Sequence, residues 1–333
     1  MNRRNAERRH GLLCAGGLCL LLFAFSLSLL VGKYPLSLAQ MLAGNAMHLR
    51  IFLTLRLPRS VIAALGGFGL GAAGYVFQTI FRNPLAAPDM IGVSSGASAG
   101  AAFAILFLPA TAVSVTLSAF AGGLFAVGIA LGLASLASGR GNGSIVLAGI
   151  AVHAMAQTAL MALKLAADPE RQLASIEYWI MGSLSAITLR QIPFYCAVCL
   201  LGLIGIFLLH RQIILLSVEE SEARMLGVPV GRMRLLILIL ATLVVASVIS
   251  VTGVISFVGL LAPHIARMLA RDNRPSTLLL SGLLGGLLLV TADILARSVA
   301  SAELPVSIFT SLLGAPFLLY LIIKGKEDGG NGS

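Results

Sequence analysis

Eight stretches of this chain contain no Asp, Glu, Lys or Arg: 11–32, 60–81, 90–139, 141–163, 191–210, 235–266, 275–292 and 304–323. A helix needs about 20 mostly apolar residues to cross roughly 30 Å of hydrocarbon. Six of the runs fit one crossing each. The run 90–139 is too long for one, and Pro109 near its middle marks a break, so it reads as two helices. Continuous apolar runs exclude a membrane barrel, whose strands alternate polar and apolar positions. Only 11% of the 333 residues are charged and 58% are hydrophobic, against about 25% charged in a soluble domain. The pattern predicts an all-α integral membrane protein.

The run 235–266 is ambiguous by length, because 32 helical residues would reach about 48 Å. Charge separates the two readings, since cytoplasmic loops carry the excess of Lys and Arg. A split near Thr252-Gly253 gives ten helices with both termini cytoplasmic. It places 15 of the 23 basic residues inside; without the split the counts are 11 inside and 12 outside. The split is therefore taken. Residues 1–10 form a basic cytoplasmic N-terminus, 11–325 a ten-helix transmembrane domain, and 326–333 a flexible polar tail. The N-terminal apolar run of 22 residues is longer than a signal-peptide core, so a retained first helix is expected.

The net charge of +10 follows from this topology, and it suits the anionic inner leaflet. No basic stripe is interleaved with aromatics, which argues against nucleic acid. Cys14, Cys19, Cys196 and Cys199 all fall inside expected spans, where Cys behaves as a small apolar residue. The five His residues are scattered, with no metal-site spacing. No phosphate-binding G-x-x-x-x-G-K-[ST] loop is present. Asp293 is the one clear intramembrane carboxylate, fewer than an ion-driven carrier usually needs. Glycines at four-residue spacing (Gly67 and Gly71; Gly92, Gly96 and Gly100; Gly128 and Gly132; Gly282 and Gly286) predict close helix contacts.

Three polar segments interrupt the apolar pattern informatively. In RNPLAAPD (82–89), Arg82 suits the C-terminal end of the second helix, Asp89 is expected to cap the third, and the prolines stop both. In 215–236, Ser217 and Glu220 form an expected capping box for a short helix over about 218–226. Gly227 is placed to end that helix, and Val228-Pro229 to start a second short one. The segment is either a solvated connector or a knob for a soluble partner. On the outer side, Arg56, Arg59 and Arg297 are either snorkelling cations or a receptor for an acidic partner. Asp293 lies four residues before Arg297, which favours an intrahelical ion pair over a proton relay. The segment EYWIMGSLS predicts a short interfacial helix within 167–189, with Tyr178 and Trp179 at headgroup level.

The motifs RLPR (56–59), RNPLAAPDMIGVSSGA (82–97), EARMLGVPVGRMR (222–234), GVISFVGLLAPHIARML (253–269), ADILAR (292–297) and ELPVSIFTSLLGAPFLLYLI (303–322) follow in order. Together they resemble the FecCD-type permease subunit of ABC importers for iron-siderophores, haem and cobalamin. The resemblance covers about residues 50–325. It implies the type II ABC importer permease architecture in the inner membrane of a prokaryote. It also implies a second permease subunit, identical or paralogous, two cytoplasmic ATP-binding subunits and a periplasmic or lipid-anchored substrate-binding protein.

By this resemblance the chain is not an enzyme and binds no cofactor, and ATP and magnesium are used by the partner ATPase. Ser217, Glu220, Glu222, Ala223, Leu226, Gly227 and Pro229 match the ATPase-coupling helices. Arg56, Arg59 and Arg297 match the arginines that receive acidic residues of the binding protein. Asn83 and Leu85 match a first cytoplasmic gate, and Asn142 and Ser144, in the loop around 139–144, a second. The implied cargo is a ferric-siderophore-type chelate, with haem or cobalamin as alternatives. The rival class is a stand-alone ion-coupled carrier using Asp293.

Overall fold

The computed structural model describes residues 3–32, 34, 41, 43–109, 111–136, 142–185, 187–300 and 302–330. Every regular element among them is helical. Six helices are long and apolar enough to cross a membrane, and four shorter apolar helices accompany them. The N-terminal helix α1 is Arg3–Leu30. Next, α2 (Ala46–Ile51) runs through a π-helical turn (Phe52–Arg56) into α3 (Leu57–Ile80) without a break. Residues 46–58, which lie outside the charge-free runs, are therefore helical. Pro58 lacks the N–H that would bond the Thr54 carbonyl, which accounts for the widened turn before it.

The expected break at Pro109 separates α4 (Val93–Phe107) from α5 (Ala112–Leu136). Helix α6 spans Asn142–Ala166 and is followed by the short α7 (Gln172–Ile180), which carries Tyr178 and Trp179 as expected. Asp168 Oδ1 accepts from the Glu170 and Arg171 amides and shapes the turn between them. Then come α8 (Ile192–Leu208), α9 (His210–Leu215) and α10 (Glu220–Met225). The ambiguous run splits where charge predicted. Helix α11 (Val230–Thr252) stops at Gly253, and α12 (Val258–Ala270) begins five residues later. The last two are α13 (Pro275–Ser298) and α14 (Val306–Gly330).

Helix α3 is the central post, packed against α1, α8, α11, α12 and α13. Its residues Ile62, Ala63, Ala72, Ala73, Val76 and Phe77 are inaccessible to solvent. Helices α4, α5 and α6 form a second group, and α11 touches both groups. Glycine makes these contacts close. A Cβ on Gly67 would lie 2.3 Å from the Gly285 carbonyl oxygen, and one on Gly71 2.3 Å from that of Ser281. Ser281 donates its hydroxyl to the Gly71 carbonyl at 2.7 Å. Pro263 inside α12 leaves the Gly259 carbonyl without its helical donor. That oxygen lies against α3, where a Cβ on Gly74 would be 1.7 Å away.

Two of the glycine expectations fail. Gly92 is a turn residue (φ 82°) rather than a packing residue, and Gly128 and Gly132 have nothing within 4 Å of an added Cβ. They lie on the outward face of α5, beside the exposed Phe125 and Leu133.

Candidate functional site

At the end expected from the charge distribution to face outward, α3 and α13 bring Arg59, Asp293 and Arg297 together. Arg59 donates from Nε to Asp293 Oδ1 at 2.8 Å and from Nη1 to Glu303 Oε2 at 2.8 Å. Arg297 Nη2 lies 3.1 Å from Asp293 Oδ2, the expected i,i+4 pair. Arg56, on the π turn, donates to the Tyr34 carbonyl at 3.0 Å, and Arg297 also donates to the Ser28 hydroxyl. Asp293 is inaccessible, and Arg56, Arg59 and Arg297 are only 6%, 9% and 4% exposed.

The three arginines do gather, but as a buried network rather than an exposed patch. A carboxylate taken out of water needs cationic partners, and Asp293 takes two of the three. Together with Glu303 they border an outer cavity of about 380 Å³ whose wall also includes Leu55, Leu184 and Ser185. Sequence reasoning missed Glu303 and Ser28. Glu303 had a signal, being an acid at the same outer boundary as Arg56 and Arg59; Ser28 had none.

At the opposite end of α3, a helix stop of the Schellman kind ends the helix. Arg82 adopts φ 51°, its N–H meets the Thr79 carbonyl at 3.3 Å, and the Asn83 N–H meets that of Gln78 at 3.2 Å. The left-handed Arg82, and not a proline, thus terminates α3. Asn83 Oδ1 accepts from the Leu85 amide at 2.9 Å, and Leu85 is 51% exposed. A 3₁₀ turn over Pro88–Ile91 separates Asp89 from α4. Asp89 therefore does not cap the helix backbone as expected; it accepts the Ser94 hydroxyl, and Gly92 opens the helix.

Asn142 and Ser144 stand in the first turn of α6 rather than in a loop; residues 139–141 of the expected second gate loop lie outside the described residues. The two segments expected to form gates border a common cavity. Asn83, Met90, Gly143 and Leu147 line one cavity of about 450 Å³.

The segment 217–229 forms the expected helical hairpin with altered details. The capping box is absent: Ser217 Oγ donates back to the Ile214 carbonyl at 2.7 Å, and Glu219 takes the N-cap position. Glu220 is engaged elsewhere, accepting from Arg224 at 2.6 Å and Arg234 at 3.1 Å. Arg234 is 7% exposed, and a buried guanidinium competes strongly for a nearby carboxylate. Burial works to raise the Glu220 carboxyl, but hydrogen bonds from Arg234 and Arg224 outweigh it and hold the group below its ordinary range.

Gly227 (φ 79°) ends α10 as expected, with the Val228 N–H on the Ala223 carbonyl. Pro229 then starts α11 directly, so the expected second short helix is the first turn of α11. Ala223 is buried beneath the hairpin, Glu222 is exposed, and Met225 and Leu226 present apolar side chains at 81% and 63% exposure.

All four cysteines are free, and among the described residues no three His, Cys, Asp or Glu side chains gather as a metal site. Residues 20–324 match the model of the FecCD transport family, and the chain belongs to that family.

A "Probable iron chelatin transport system permease protein" of Helicobacter pylori is 38% identical over 280 residues, covering 83% of each chain. The molybdate import system permease protein MolB of Haemophilus influenzae is 34% identical, covering 95% of this chain and 96% of its own. Among solved structures, one described as "an inward-facing conformation of a putative metal-chelate type ABC transporter" superposes with a TM-score of 0.85 at 33% identity. It covers 93% of this chain and 98% of that one. This protein is thus an ABC transporter permease subunit of the prokaryotic inner membrane and not an enzyme. Membership implies ATPase and binding-protein partners.

Proposed function

We propose that this permease carries a ferric-siderophore-type chelate from a binding protein into the cytoplasm. It works as one of two permease subunits above two ATP-binding subunits, which supply the ATP and magnesium chemistry. The observation that carries the substrate reading is the iron-chelatin relative, similar over most of its length. The acidic lobes of the binding protein dock at the outer mouth framed by Arg56, Arg59, Arg297 and Glu303. The exposed Met225 and Leu226 seat the coupling hairpin in the ATPase. Closure of the ATPase dimer moves the hairpin. The segments around Asn83, Leu85, Asn142 and Ser144 then change their separation and pass the chelate.

The experiment begins with the cognate binding protein, purified with its natural cargo. Proteoliposomes containing both permease copies, the ATPase and that binding protein are then offered ferric siderophore, haem, cobalamin or molybdate. ATP-dependent uptake of the ferric siderophore is expected. Uptake of one of the others in its place overturns the substrate assignment and leaves the permease class intact.

A further inference from the structure

A cavity of about 340 Å³ opens between α5, α6 and α11 at the end of the molecule that carries the coupling hairpin. Its polar side is formed by Arg232, exposed on the first turn of α11, and by Arg234 behind it. Apart from Ser135, its remaining wall is apolar, with Leu131, Ile145 and Leu238 among the lining residues. Above Arg232 the outer face of α11 continues as Leu235, Leu236 and Ile239, which are 46%, 41% and 41% exposed.

We propose that this cavity holds the phosphate headgroup of an anionic phospholipid of the cytoplasmic leaflet. Two guanidinium groups match phosphate oxygens in geometry and charge. The distribution of basic residues places this end of the molecule inside, at the leaflet whose anionic lipids attract such groups. A soluble phosphate would need only the arginines, whereas the exposed Leu235, Leu236 and Ile239 give an acyl chain a path along α11 into the hydrocarbon.

The site is linked to transport through Arg234. This residue holds Glu220 of α10 at 3.1 Å. A phosphate that reaches Arg234 shares it with Glu220, so occupancy and the hold on the coupling hairpin are connected.

The test uses the purified full-length chain in detergent, with phosphatidylglycerol or phosphatidylcholine of identical acyl chains added and retention read by native mass spectrometry. The wild-type chain is expected to retain phosphatidylglycerol over phosphatidylcholine. In Arg232→Gln that preference is expected to fall about fivefold, the factor corresponding to about 1 kcal/mol for one surface arginine. Arg211→Gln, an exposed inner arginine that does not line this cavity, is expected to keep the wild-type preference. Equal retention of the two lipids by the wild type overturns the proposal. So does an equal loss in both variants, which marks general surface charge. Displacement of phosphatidylglycerol by an equal concentration of soluble glycerol phosphate also overturns it, by assigning the site to free phosphate.

Discussion

Asp293 shows how a residue in an apolar run is tied down by partners from far along the chain. Its i,i+4 relation to Arg297 is written in the local sequence. Its shorter bond, to Arg59, joins residues 234 positions apart, and no local pattern encodes that. Removing one member of a buried ion pair costs about 3–5 kcal/mol, because the remaining charge is left uncompensated. Asp293→Ala is therefore expected to lower stability by about that amount. Adding Arg297→Met should recover part of it, as read from chemical unfolding of the purified protein.

The same logic changes how the outer arginines are tested. Reversing Arg297 would set two carboxylates together inside the protein, and lost uptake would then report misfolding rather than lost docking. At Glu220 the linkage has a definite sign. Its carboxyl is held below the ordinary range, so the tether to Arg234 is fully present above the unfolded value of about 4.3. It is lost only as pH falls through the lower folded value. The Met225 methyl signal in nuclear magnetic resonance, followed against pH, is expected to shift with a midpoint below about 4.3.

At the scale of elements, glycine spacing and glycine contact are different things. Gly67, Gly71, Gly96 and Gly100 were marked by spacing and do meet backbone of a neighbouring helix. Gly128 and Gly132 share the spacing and touch nothing, because spacing alone does not say which helix face is covered. Among the described residues Gly74 makes the tightest approach to another helix's backbone, and its reason lies on that helix, where Pro263 frees the Gly259 carbonyl. Gly74→Ala is expected to cost more than the roughly 1–3 kcal/mol of ordinary overpacking, since backbone must move. Gly128→Ala, on an uncovered helix face, should instead raise the thermal unfolding temperature of the same chain slightly.

The boundary between α11 and α12 was legible because charge distribution chooses between one crossing and two. The extension of α3 back to residue 46 was not, since Arg50, Arg56 and Arg59 keep that stretch out of the charge-free runs. In the hairpin, Gly227 could be read from its type alone. The expected capping box could not survive, because Glu220 answers to Arg234 fourteen residues later. Leu226→Asp places a charge on the apolar tip without touching this scaffold. It is expected to abolish co-purification of the ATPase while leaving the chain's own unfolding temperature unchanged.

For the whole molecule, the ends of the central post matter together. Helix α3 carries Arg59 at its outer end, with Arg56 on the π turn just before it and Asn83 just past its inner end, and it contacts α11, whose first turn follows the coupling hairpin. Outer mouth, inner cavity and hairpin are thus attached to one packed body of helices, as an externally driven transporter requires. An ion-driven carrier would instead use an ionisable group free to change partners, and Asp293 is clamped between two arginines. These two designs differ in what energises uptake.

The chain reconstituted alone is expected to give no chelate uptake under a proton or sodium gradient, whereas adding the ATPase and binding protein should make uptake depend on ATP. The docking face can be read in the same vesicles without disturbing the buried arginines. Ser185 is exposed and lines the outer cavity. Ser185→Cys is expected to cross-link to cysteines placed on the acidic lobes of the binding protein, and the cross-linked complex should stop turning over. Full uptake after complete cross-linking would mean that the binding protein does not deliver its cargo at this mouth.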